Sequence, residues 1–72
     1  MAISLKAARV DAELSRPTVI KKLLDEKGIK LSVNTLASYE RKQTHPDIIT
    51  ANALAEIYGR SVDDISWETN DN

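Results

Sequence analysis

The chain has 72 residues, 42% hydrophobic and 29% charged, with no cysteine and a net charge of −1. That length sets a single small domain, and the missing cysteines exclude a disulfide scaffold and any thiolate metal site. Leu, Ile and Val suffice for a packed core, but one Trp, two Tyr and no Phe make that core aliphatic and thin.

In chain order the sequence reads as helices with short links. Ser4 is a good N-cap, with Ile3 before it and Ala8 placed for a hydrophobic staple; Leu5, Ala8 and Ala12 recur at helical spacing. The first helix is expected from Leu5 to Glu13. Ser15 repeats the device with Leu14 and Val19 around it, and Pro17 is tolerated in a first turn because its missing N–H is unpaired there anyway. Val19, Ile20, Leu23 and Leu24 form one stripe, and Gly28 followed by Ile29 suits a left-handed helix end. The second helix thus spans Arg16 to Lys27.

Ser32 caps a third helix from Val33 to Lys42, with Leu36 and Tyr39 facing inward. Asp47 caps a fourth whose inward face is Ile48, Ala51, Leu54, Ala55 and Tyr58, ended by Gly59. Ser61 opens a last short helix, with Asp64 three residues on as in a capping box. No strand of convincing alternation is present. The expected architecture is an all-α, four- to five-helix domain over residues 1–66, with a polar tail over 67–72.

No apolar run approaches the ~20 residues that span a bilayer, and MAISLKAARV lacks the apolar region of a signal peptide. The expectation is an intracellular, soluble domain without a membrane partner. Charge is uneven: residues 1–42 hold nine Lys/Arg against five Asp/Glu, and residues 43–72 hold one Arg against six acids. Screening beyond ~8 Å lets the basic half act locally. His45, in a Thr-His-Pro turn, has no second ligand pattern beside it, so no metal is expected. With only two glycines there is no phosphate-cradling loop, and a domain this thin offers little room for a substrate pocket. An enzyme, a cofactor or a small-molecule substrate is therefore not expected.

The order LKAAR, LSRPTV, SVNTLASYER and HPDIITANALAEIYGRSVDDI resembles the Cro/CI-type (XRE-like) helix-turn-helix family of phage regulators over residues 4–65. One departure is LLDEKGIKLS, about six residues longer than the usual link between the second and third helices. A long second helix ending in GIKLS before TLxxY is similar to switch proteins of temperate lactococcal phages. In length the chain is similar to their Cro-like modulator of repression.

The resemblance implies a lambda-repressor-like fold whose third helix lies in the DNA major groove. Val33, Asn34 and Ser38 then face base edges: Asn34 has the carboxamide that pairs with adenine, and Val33 can meet a thymine methyl. Ser15, Arg16, Thr35, Arg41, Lys42, Gln43 and Thr44 are the implied phosphate contacts. On polarity alone the same residues read equally well as a solvated face. Lys21, Lys22, Lys27 and Lys30 read as a solubilising surface. Arg9 and Glu40 match a family pair that crosses the core, so a partly buried ion pair is expected.

Ile49, Ala53 and Ile57 fall outside the inward stripe of the fourth helix. Trp67 either folds back over the core or, with Ile49 and Ile57, meets a protein partner. Two mechanisms stay open. In one, a homodimer occupies double-stranded operator DNA in the bacterial host cytoplasm. In the other, the chain is an antirepressor that binds the phage CI-type repressor protein; the pI near 5.7 and the acidic second half suit that role.

Overall fold

A computed structural model describes residues 2–67. Chain order is β1 (Ile3–Ser4), α1 (Leu5–Asp11), α2 (Arg16–Lys27), α3 (Val33–Glu40), α4 (Ile48–Ile57), a 3₁₀ turn (Val62–Asp64) and β2 (Ile65–Ser66). Each of the four α-helices begins where the sequence places its cap. The side chains of Ser4, Ser15, Ser32 and Asp47 each accept a hydrogen bond from the backbone N–H three residues on, satisfying one otherwise orphaned donor.

Helix ends depart from expectation in two places. The first helix stops at Asp11 rather than Glu13, and the third at Glu40 rather than Lys42. Glu13 and Lys42 take φ of 59° and 62°, the left-handed conformation usually given to glycine. At the first, the Leu14 N–H reaches Arg9 O at 3.3 Å and the Glu13 N–H reaches Val10 O at 2.9 Å. At the second, Gln43 N–H to Ser38 O and Lys42 N–H to Tyr39 O are both 3.1 Å. Both are Schellman closures, and the first turns Leu14 back against the core. Gly59 closes α4 the same way with a residue better suited to it.

The core joins Leu5 and Ala8 of α1, Val19 and Leu23 of α2, Leu36 of α3 and Leu54 of α4. Helix α2 packs on both α3 and α4, while α1 touches α3 and β2. The segment 28–32 links α2 to α3, and Ile29 and Leu31 within it pack against the core. The extra length in LLDEKGIKLS is thus absorbed by a longer α2 and by a link with its own apolar anchors.

Two-residue strands β1 and β2 pair in parallel, Ile3 opposite Ile65 and Ser4 opposite Ser66. Alternation cannot be seen in so short a run, which is why sequence periodicity misses it. In the 3₁₀ turn the Ser61 side chain accepts from the N–H of Asp63, not of Asp64 as a capping box over this segment requires.

The orientation of α4 also differs from the sequence reading. Ala53 is buried rather than outward, because α4 lies between α2 and the 3₁₀ turn and its covered arc is wider than one stripe. Ile57 is half-buried and packs against the core. Ile48, expected inward, is 69% exposed beside Ile49 at 68%: at the first turn the stripe runs past the neighbouring helices. Trp67 folds back, its Nε1–H donating to Val62 O at 2.8 Å while the ring packs against the core. The remainder of the expected tail, 68–72, lies outside the described residues.

Candidate nucleic-acid interface

Helix α3 is exposed in its first two residues and buried or half-buried beyond them. Leu36 and Ala37 are buried beneath it, and Glu40 at its end is buried too. Val33 and Asn34 are exposed in its first turn; Ser38, one turn further on, is half-buried. Asn34 and Ser38, four residues apart, share one side, with Ser38 the less free; Val33 lies on the stripe of Leu36, Ala37 and Glu40 and is exposed because it stands in the first turn. Ser32 fixes where the helix begins. Its Oγ accepts the Thr35 N–H at 3.1 Å and lies 2.8 Å from Thr35 Oγ1. Thr35 is thereby engaged in the cap and half-buried.

Flanking groups sit at the two ends of the α2–α3 pair. Ser15 caps α2 and lies 2.8 Å from Thr18 Oγ1 through its own hydroxyl. Arg41, Gln43 and Thr44 are exposed just after α3, with Lys42 half-buried in the left-handed closure. The helix Val33–Glu40 itself contains no cation, so any phosphate attraction must come from these flanks.

Glu40 anchors the assembly. Its side chain is 1% exposed and accepts Arg9 Nε at 2.7 Å and Arg9 Nη2 at 3.3 Å, a fork that ties α1 to the end of α3. This is the ion pair expected from the sequence. Arg16, expected only as a phosphate contact, is a second partner: Nε and Nη2 lie 3.0 and 2.9 Å from Glu40 Oε1. That link joins the first residue of α2 to the last of α3. Nothing in the sequence spacing signals it, because Arg16 and Glu40 meet only through the tertiary packing of their helices.

Three further groups are electrostatically marked. Tyr58 Oη is fully buried without a hydrogen-bond partner among the described residues. Burial, and then the charge of Glu40, pushes its ionisation well above the ordinary tyrosine range, while Arg9 and Arg16 pull the other way. Tyr39 is raised by its own burial and by the charge of Asp47. Asp47 is held below its usual range by the Thr50 hydroxyl and N–H that it accepts from.

Elsewhere an open groove of about 300 Å³ is lined by Lys27, Ile29, Ile49, Asn52, Ala53 and Glu56. Lys27 and Glu56 pair across it at 3.0 Å. Among the described residues no group of acids and histidines is placed to hold a metal ion, and no helix is long and apolar enough to cross a membrane.

A family model described as helix-turn-helix matches residues 5–65, from the start of α1 to the start of β2. That family is one of DNA-binding regulatory domains, not of enzymes. Neither the curated proteins nor the solved structures give a match.

Proposed function

We propose that this chain, which belongs to the helix-turn-helix family, is a Cro-like regulator of a temperate-phage switch that binds operator DNA through α3 to oppose repression. The observation that carries the reading is the first turn of α3, where Val33 and Asn34 are exposed, with Ser38 half-buried one turn after Asn34, on a helix seated by Leu36 and Glu40. On that reading Asn34 pairs with adenine N6 and N7, Val33 meets a thymine methyl, and Ser38 adds a hydroxyl. Ser15, Arg16 and Thr35, with Arg41, Lys42, Gln43 and Thr44, face phosphates on either side. Two copies on a pseudo-palindrome would set half-sites about one helical turn apart. Occupancy alone blocks polymerase or a competing repressor, and no cofactor is needed.

A second reading is favoured by a specific feature. The exposed first turn of α3 is neutral, and Val33 in it is 39% exposed, which suits a protein surface as well as a groove. In that reading the chain is an antirepressor that binds the CI-type repressor. The acids Asp63 and Asp64, both exposed, are then the groups to meet a basic partner. Asp47 and Glu56 are less suited, being engaged with Thr50 and Lys27.

The test is binding to the promoter region next to the gene, at ~50 and ~200 mM salt, with and without the neighbouring repressor. Specific binding by the chain alone, steeply weakened by salt, is the result expected of an operator-binding regulator. If the chain alone leaves the DNA free but removes the repressor's complex on mixing, the antirepressor reading replaces it.

A further inference from the structure

The open groove beside α4 belongs to a surface that the α3 reading does not use. One wall is α4, with Ile49, Asn52 and Glu56; the other is the end of α2, with Lys27, and the link after it, with Ile29. Neither Val33 nor Asn34 of α3 lines it. Ile49 in the wall and Ile48 next to it are 68% and 69% exposed, and Leu24, one turn before Lys27 on α2, is exposed as well. Single apolar residues are ordinary on a surface, but two adjacent isoleucines against a mostly apolar groove set a knob and a hole on one patch.

The polar groups of the patch carry an independent argument. Lys27 and Glu56 face each other across the groove at 3.0 Å, one charge of each sign on opposite walls. The Glu56 side chain is 68% exposed, so this is a surface pair, worth little by itself and free to change partners. Asn52, exposed on the α4 wall one turn before Glu56, carries both donors and an acceptor on one amide. A patch that holds both signs of charge, an amide, a knob and a hole is complementary to its own copy turned about a two-fold axis. An unrelated partner would have to supply each of those features separately.

We propose that this face docks a second copy of the chain, forming a two-fold symmetric dimer in the absence of DNA. Ile48 of each copy enters the groove of the other. Lys27 and Glu56 exchange their pairing within one chain for pairing across the axis, each with its opposite on the second copy. The exposed first turn of α3 lies outside the contact on both copies. The patch is small, so the dimer is weak, forming at about tens of micromolar. The inference goes beyond the functional reading above and does not depend on it.

The test is sedimentation velocity of the full chain without DNA, from ~5 to ~500 μM, on the wild type, Ile48→Asp, Lys27→Glu, Glu56→Lys and an equimolar mixture of the last two. The wild type is expected to pass from monomer to dimer over this range. Ile48→Asp should stay monomeric. Each charge variant alone should dimerise about tenfold more weakly or worse, because one substitution sets like charges against each other twice in a symmetric dimer. The mixture should dimerise as the wild type does, since it restores opposite charges across the axis. Thermal melting checks that each variant is folded, as expected for substitutions at exposed positions. A purely intrachain role for Lys27 and Glu56 would leave the mixture no more dimeric than its components. That result, a wild type monomeric at ~500 μM, or a dimer undiminished by Ile48→Asp overturns the inference and leaves the DNA-binding reading untouched.

Discussion

At the residue scale, Glu40 does more for the fold than any other polar side chain described. It closes α3 onto α1 through Arg9 and onto α2 through Arg16, and it does so buried. Removing one member of an isolated buried pair costs ~3–5 kcal/mol, but Glu40 retains a second guanidinium. Arg9→Ala is therefore expected to cost about 2 kcal/mol, nearer the value of a charge-assisted hydrogen bond. For a domain of this length that lowers the melting temperature by roughly 10 °C, which calorimetry or circular dichroism would read. A loss as large as that of an isolated buried pair would mean that Arg16 does not share the load. The Arg9–Glu40 pair was legible in the sequence only through its family pattern. Arg16 was not, since its approach to Glu40 depends on how α2 and α3 are set against each other.

At the element scale, beginnings were legible and endings less so. A helix start is marked by one side chain, and Ser4, Ser15, Ser32 and Asp47 announce theirs. A helix end without glycine carries no such mark. Glu13 and Lys42 end their helices in a conformation that disfavours their own side chains, because the chain must turn there for tertiary reasons. Lys42→Gly removes that strain and should raise stability by ~0.5–1 kcal/mol in a denaturant titration. Asp47 gives a pH counterpart. Its folded value is lowered by Thr50, so its contribution is present above the unfolded carboxylate range and is lost as pH falls through the folded value. Melting measured from about pH 5 down to about pH 2 should show this loss, and Asp47→Asn should flatten that part of the profile.

At the scale of the whole molecule, the layout places two unlike surfaces on one small domain. One is the α3 face with its flanking donors; the other is the pair Ile48 and Ile49 beside the groove between α2 and α4. The all-α class and the four helices followed from caps and periodicity. The pairing of β1 with β2 did not, because two residues from opposite ends of the chain leave no local pattern. The outward exposure of Ile48 was equally hidden, since periodicity tells which residues share a stripe but not where the neighbouring helices stop. On the proposed function the α3 face, and not the isoleucine face, reads DNA. An NMR titration of the labelled chain with its promoter duplex, repeated with Asn34→Ala, tests it most directly. Shifts concentrated at residues 15–18, 32–38 and 41–44 are expected, with about ten- to hundredfold weaker binding by Asn34→Ala without loss of fold. Shifts centred on Ile48, Ile49 and the groove, or undiminished binding by Asn34→Ala, would contradict it.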